Sequence, residues 1–213
     1  MPANRIASPV AARLGRLALA AAFAALLGLY SGCGMMGGPK GPVSVPLEFR
    51  PKADALTGTI SATDVRAYLE PVNDKRDNKD RVGENVEDEV PVPVYAGGDT
   101  SPTDFVGNVI EQELKNFGVE FTDAPEAADR IITLDLNRFW VREDNNYQAE
   151  VRGVVTVKDK GGRVLWRGNV GGEGRTYGRS LNPINYNEAF SDATRGLVGS
   201  MLAQPKFQES LTR

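Results

Sequence analysis

The stretch Ile132-Thr-Leu-Asp-Leu-Asn-Arg-Phe-Trp-Val-Arg-Glu-Asp-Asn-Asn-Tyr-Gln-Ala-Glu-Val-Arg-Gly-Val-Val-Thr-Val-Lys-Asp-Lys-Gly-Gly-Arg-Val-Leu-Trp-Arg-Gly-Asn-Val170 alternates apolar and polar residues across two turn signals. Ile132, Leu134 and Leu136 share one face. Phe139 and Val141 take the opposite parity, so a bulge is expected near Asn137 and Trp140 turns to the other face. Asp144-Asn-Asn146 closes a first hairpin. Ala149, Val151, Gly153, Val155 and Val157 then alternate, with Glu150, Arg152, Thr156 and Lys158 facing away. Asp159-Lys-Gly-Gly162 closes a second hairpin, and Val164, Trp166, Gly168 and Val170 alternate once more. Connections this short leave no room for crossovers, so the three strands are expected to form an antiparallel meander. Gly171-Gly-Glu-Gly174 is expected to end or bend the third strand.

Helices flank this stretch on both sides. Upstream, Ser101-Pro102-Thr103-Asp104 supplies an N-cap, a proline at the first helical position and an early acid. Val106, Val109, Ile110, Leu114 and Phe117 form the apolar stripe, with Phe105 at its edge, and Gly118 fits a left-handed stop. Val119 to Phe121 reads as a short strand, and residues 123–129 as a turn. Downstream, a helix is expected from Asn185 or Asn187, with Phe190, Ala193, Leu197, Met201 and Leu202 on one face and Pro205 at its end. Gly196 and Gly199 cost helix stability, which points to close packing there. A last turn carries Phe207 and Leu211. The expected fold is therefore α+β: a mostly antiparallel sheet with a three-strand meander and two helices packed on one face.

Before the first helix, Val65, Ala67 and Leu69 alternate with polar residues as a strand, and Pro71 marks its end. Residues 74–89 carry a dense run of charges and read as a long exposed loop. Val90-Pro-Val-Pro-Val-Tyr95 is extended, because each proline biases its predecessor away from helix.

The N-terminus has a different character. Arg5, Arg13 and Arg16 precede any acidic residue, and the apolar run from Leu17 to Tyr30 follows. It is shorter than the roughly 20 residues that a spanning helix needs. A basic stretch, a short apolar core and small residues compose a secretory signal peptide. Leu29-Tyr30-Ser31-Gly32-Cys33 resembles the lipobox of bacterial lipoproteins, with Tyr30 where leucine is usual. The resemblance implies cleavage before Cys33 and acylation of its thiol and new amine. It makes Cys33 the lipidation site rather than a core cysteine. Several acyl chains on one residue anchor stably where a single chain does not. Gly34 follows; by resemblance to the enterobacterial sorting rule, in which an Asp there holds a lipoprotein in the inner membrane, its absence implies the outer membrane. The expected organisation is a signal peptide over 1–32, a lipidated cysteine and flexible tether over 33–46, and one periplasmic α+β domain over 47–213.

The layout resembles the YajG-type lipoproteins of Gram-negative envelopes. Asp74-Lys-Arg76, Phe117-Gly118-Val119, Glu150-Val-Arg-Gly-Val-Val-Thr-Val157, Gly161-Gly-Arg-Val-Leu-Trp166 and the closing helix carry the likeness. It is similar also to the auxiliary lipoproteins of ABC-type lipid transporters. Neither resemblance supplies catalytic residues. Asp74 and Arg76 fall in the shared part and could form a structural ion pair that pins the charged loop.

The remaining constellations are weak as chemistry. Asp74, Asp77 and Asp80 recur too widely for a calcium loop and alternate with cations. Gly172 to Gly178 has the wrong spacing for a phosphate loop, and no helix starts directly after it. Asp135 and Glu150 could approach as a carboxylate pair, with Arg138 and Arg152 available to neutralise them. Arg163, Arg167, Arg175 and Arg179 could face an anionic lipid or a protein partner, or only solubilise the sheet. Trp140 could serve as a recognition or lipid contact, or pack under the charged loop.

Composition limits the rest. The 213 residues contain no histidine and one cysteine, which removes His-dependent nucleophiles, His-bearing metal sites and internal disulfides. Removing Arg5, Arg13 and Arg16 from the 25 basic residues leaves 22 against 28 acidic ones, a balance unsuited to nucleic acid. The sequence leads to a non-enzymatic lipoprotein that needs no cofactor or metal. It is held to the membrane through an N-terminal lipid and binds an envelope protein partner. The alternative is an auxiliary role in lipid transport, with phospholipid as a ligand.

Overall fold

A computed structural model describes residues 41–60 and 65–212 of the chain. Its strands are β1 (Val43–Pro46), β2 (Arg66–Leu69), β3 (Asn73–Asp74), β4 (Gly83–Asn85) and β5 (Val92–Gly97). Helix α1 (Pro102–Asn116), β6 (Glu120–Phe121) and a 3-10 turn (Pro125–Ala127) follow. The chain closes with β7 (Arg130–Glu143), β8 (Asn146–Asp159), β9 (Val164–Tyr177), α2 (Pro183–Leu202) and α3 (Pro205–Ser210).

Strand β7 is the hub of one nine-stranded sheet. Along one edge it pairs antiparallel with β8 over nearly its whole length, and β8 pairs likewise with β9. The β7–β8 register shifts between Leu136 and Arg138, which reconciles the two apolar parities of β7. Along its other edge β7 receives three short parallel strands in turn, β2 at its start, β3 in the middle and β4 at its end. β4 continues antiparallel to β5, and β5 parallel to β1; β2 also pairs parallel with β6.

The sheet is thus mixed rather than mostly antiparallel. Five of its eight strand pairings are parallel: β1/β5, β2/β6, β2/β7, β3/β7 and β4/β7. The physical reason lies in α1, which returns the chain to the starting level of β2, so β7 must run alongside its predecessors in the same direction. Strands of two to four residues carry too little alternation to announce this pairing.

The charged segment 74–89 is correspondingly not one exposed loop. β3 and β4 lie within or at its edge, and Arg76, Val82, Gly83 and Asn85 are buried. The expected tether also ends earlier. Val43–Pro46 is a strand with Val43 and Val45 buried, so these four residues belong to the sheet rather than to a tether. After β1, residues 48–53 run along α2 as an extended strap. Asn187 Oδ1 accepts from the N–H of Glu48 at 3.0 Å, Ser191 Oγ from Arg50 at 2.9 Å, and Asp192 Oδ1 from Lys52 and Ala53 at 2.8 Å.

Helix α1 starts at Ser101, whose Oγ accepts from the Asp104 N–H at 3.1 Å, and stops at Gly118 with φ of 92°. Helix α2 starts earlier than its apolar periodicity indicates, at Pro183 with Asn182 as N-cap. An Asn-Pro pair there is the ordinary cap-plus-first-position signal. Both helices meet the same ring. Phe139 of β7 stacks on Phe190 of α2 at 4.1 Å and meets Phe105 of α1 edge-on at 6.0 Å. Both therefore cover the face to which Phe139 points. Arg195 of α2 bonds Glu113 of α1 at 2.9 Å, both nearly buried.

Gly172 and Gly174 do not end β9, which runs on to Tyr177. A Cβ on Gly172 would lie 2.1 Å from the Ala193 carbonyl oxygen, and one on Gly174 would lie 2.0 Å from that of Ala189. Backbone meets backbone here, and only glycine permits it. At the far end of β9, Trp166 packs edge-on against Phe207 of α3 at 5.0 Å.

Candidate functional site

Among the described residues no helix lies on the opposite face of β7–β8–β9, which displays the outward residues in cross-strand rows. In the first row Glu84 of β4, Arg142, Gln148 and Arg175 stand side by side. The next row is Trp140, Glu150 and Glu173, and the third is Arg138, Arg152 and Gly171. Neighbouring strands are about 4.8 Å apart, so each row is a short line of side chains that touch or nearly touch.

Charge pairing organises the lower rows. Glu150 bridges two arginines, accepting from Arg138 Nε at 3.1 Å and pairing also with Arg152. Arg152 reaches Glu173 at 3.8 Å. The Arg138 guanidinium lies 5.3 Å from the centre of the Trp140 ring, a cation–π contact that holds the indole in place. In the first row, neither Arg142 nor Arg175 has a salt-bridge partner among the described residues. These rows line a shallow depression of about 520 Å³, bounded by Glu84, Trp140, Arg142, Gln148, Glu173 and Arg175. The surface is a rigid strand platform with one half-buried aromatic and two unengaged guanidiniums.

Beside the platform, Asp74 and Arg76 form a two-pronged ion pair. Arg76 Nε donates to Asp74 Oδ1 at 2.9 Å and Nη2 to Oδ2 at 2.8 Å. The guanidinium is buried and also donates to the Lys79 and Arg81 carbonyls. These hydrogen bonds from Arg76 hold the Asp74 carboxyl below its usual range against the opposing effect of burial. Trp140 borders this turn through a second, smaller hollow lined by Arg76, Asp77, Asn78 and Arg138.

The four arginines singled out from the sequence do not form one patch. Arg163 pairs with Asp159 at 3.0 Å in the β8–β9 hairpin. Arg179 lies beyond the other end of β9, 3.6 Å from Glu87. Between them, Arg167 is level with Thr156 and only Arg175 belongs to the rows around Trp140. A 14-residue strand spans roughly 45 Å, which separates the two end positions. Asp135 and Glu150 are not a carboxylate pair either. Asp135 is level with Val154 and accepts from Asn73 Nδ2 at 3.1 Å, while Glu150 is level with Trp140. The hairpin register, with its turn at residues 144–145, places the two acids five residues apart along the ladder. Cys33 lies outside the described residues. Arg142 shares the parity of Trp140 along β7, whereas the places of Glu84 and Glu173 beside them depend on register that the sequence does not carry.

Among the described residues the one buried carboxylate without a cation is Glu143, at the end of β7. Its oxygens accept from the Tyr186 hydroxyl and from the N–H groups of Ser180 at 2.9 Å and Leu181 at 3.2 Å. Burial alone would raise this carboxyl; the hydrogen bonds outweigh it and hold it below the ordinary value. Tyr186 is pushed far up by its burial and by the facing carboxylate. Tyr147 completes the cluster, edge-on to Tyr186 at 4.7 Å and accepting from the Asn182 N–H at 3.1 Å. Every group here is spent on closing the loop between β9 and α2, where Leu181 is held at φ of 53°. Among the described residues no group of three metal-binding side chains comes together.

No family model matches the sequence. No curated protein sequence matches it either. Solved structures similar to the chain include protein XCC0632 of Xanthomonas campestris, described by family model DUF330, at 11% identity and a TM-score of 0.48, covering 80% of this chain and 95% of that one. The PelC dodecamer of Paraburkholderia phytofirmans is similar at 12% identity and a TM-score of 0.44, covering 74% and 96%. Lipoprotein GNA1162 of Neisseria meningitidis is similar at 11% identity and a TM-score of 0.35, covering 65% and 93%.

Proposed function

We propose that this chain is a bacterial envelope lipoprotein, acylated at Cys33 and held at the outer membrane. Its domain faces the periplasm and binds a protein partner through the helix-free face of β7–β8–β9. In layout it resembles the YajG-type group. The anchoring part is supported by the basic N-terminus, the short apolar run and the Leu29–Cys33 pattern. The binding part is carried by one observation: Trp140, pinned by Arg138, stands beside Arg142 and Arg175 on a strand platform that no helix of the described residues covers. An aromatic anchor flanked by arginines is the residue mixture that dominates protein–protein hot spots. The reading is of a non-enzymatic component, and what supports it is that Glu150 and Glu173 are engaged by arginines and Glu143 by loop donors.

The test joins both parts. Wild-type protein should fractionate with the outer membrane and Cys33→Ala should not. A photo-crosslinking amino acid in place of Gln148, which is exposed between Arg142 and Arg175, should capture one protein partner in cells, whereas the same group in place of Arg163 should not. Outer-membrane retention of Cys33→Ala would remove the anchor. Equal capture at both positions, or none, would remove the binding face. Transporter subunits recovered with phospholipid would replace the reading with an auxiliary role in lipid transport.

A further inference from the structure

Four large apolar side chains of the described residues stand open to solvent: Val90 (77% exposed), Tyr177 (88%), Ile184 (54%) and Val164 (54%). Strand register puts three of them at one end of the domain. The end of β7 at Glu143 is level with the end of β4 at Asn85, and Asn85 is level with the start of β5 at Val92. Asn146, at the start of β8, is level with Tyr177, at the end of β9. Across this end Arg179 reaches Glu87, and Glu143 ties residues 180 and 181 to Tyr186. The 86–91 loop, the 144–145 turn, the 178–182 loop and the first turn of α2 therefore make one surface. Val90, Tyr177 and Ile184 project from it. Val164 lies at the opposite end, where β9 begins.

The chain enters the fold from the same end. β1 runs parallel to β5 with Val43 level with Val94, so Pro42 and Gly41 lead back toward the start of β5 and the 86–91 loop. Ten residue steps separate Cys33 from Val43. At no more than about 3.6 Å per step they hold Val43 within roughly 35 Å of Cys33.

We propose that this end of the domain is seated on the lipid bilayer, with Tyr177, Ile184 and Val90 in the headgroup region. The inference rests on the anchoring proposed above and adds an orientation to it. Tyrosine suits the position, since its ring is apolar and its hydroxyl is polar. The contact is apolar rather than electrostatic: Glu87, Asp88, Glu89 and Asp144 outnumber Arg179 at this end, with Arg175 two residues back along β9. Three side chains are a weak membrane signal alone, and a short covalent tether makes such a weak contact effective by keeping its local concentration high. In this orientation the strands rise from the membrane. Trp140, three residues before the end of β7, is then presented about 10 Å above the seated end.

The test uses the full acylated chain in vesicles of phosphatidylethanolamine and phosphatidylglycerol. Single nitroxide labels are attached to Tyr177→Cys, Ile184→Cys or Val164→Cys, sites whose exposure leaves the fold intact. The readout is label accessibility to oxygen, which partitions into lipid, against a water-soluble nickel chelate. Labels at 177 and 184 should favour oxygen several-fold over the label at 164. Equal nickel access at all three sites in protein that sediments with the vesicles would overturn the seating and leave the anchor standing. Shielding of 177 and 184 from both reagents would also overturn it, in favour of a protein or a second copy covering this end. Protein that fails to sediment with the vesicles would overturn the anchor and the seating together.

Discussion

The two faces of β7–β8–β9 are built from alternate residues of the same strands and have opposite chemistry. On the covered face Phe139, Val141, Val151, Val155 and Tyr147 are buried under α1 and α2. On the open face Arg138, Arg142, Arg152 and Arg175 are exposed around Trp140 and Glu150. Stability comes from the first face because apolar burial and close packing cannot be replaced by water. The second face contributes little to folding, because exposed ion pairs nearly balance their own solvation and side-chain entropy. A surface that contributes little to folding is free to be selected for contact. The comparison teaches that β7–β8–β9 divide, residue by residue, the side chains that hold the fold from those left open to contact.

The comparison breaks or sharpens under substitution. Phe139→Ala removes the ring shared by both helices and should cost about 4 kcal/mol, read as a lower urea midpoint, as for other buried aromatics. Gly174→Val pushes a branched side chain into the Ala189 backbone and should cost about 3 kcal/mol in the same assay. Either variant unfolding at the wild-type midpoint would mean that α2 is not held as described.

Glu143→Gln keeps the shape but weakens the acceptor for Tyr186, Ser180 and Leu181, and should cost about 2 kcal/mol at neutral pH. The sign with pH follows from its lowered carboxyl. The stabilisation is complete above the unfolded-state value and is lost as pH falls through the lower folded-state value. The wild type should therefore lose stability on acidification more steeply than Glu143→Gln, and parallel curves would show that this carboxylate is not the group responsible.

Trp140→Ala should change stability by no more than about 1 kcal/mol while abolishing capture of the partner. A loss comparable to Phe139→Ala would erase the distinction between the faces. Least of all, Arg152→Ala should shift the midpoint by about 0.5 kcal/mol or less, and that small effect should shrink further in high salt.

Several parts of the molecule were legible in the chain itself. The alternation of Ile132 to Leu136, its change of parity at Phe139, and the caps at Ser101 and Gly118 are local signals, written within a few residues. The inward and outward sets of β8 were legible for the same reason, because side chains alternate along any strand. The candidate face was half legible: Trp140 could be assigned to the outer side, and Arg175 was singled out, but Arg142 and Glu173 were not. Arg163 and Arg179 stand near Arg175 in sequence but not in space. An extended strand turns sequence proximity into distance.

By itself, then, the sequence determined which segments alternate, where helices can start and stop, which side chains must find a core, and the composition that excludes histidine and internal disulfide chemistry. Only the tertiary structure decided the parallel placement of β2, β3 and β4 on one edge of β7, the burial of Arg76 within a charged stretch, and the entry of Val43–Pro46 into the sheet. It also decided that Gly172 and Gly174 are contact points for α2 rather than breaks, and that Val90, Tyr177 and Ile184 share one end. The reason is common to all of these. Turns, caps and alternation are fixed by neighbours in the chain, whereas register and close approach depend on which distant backbone lies alongside, and a short strand or a glycine carries no local mark of that partner.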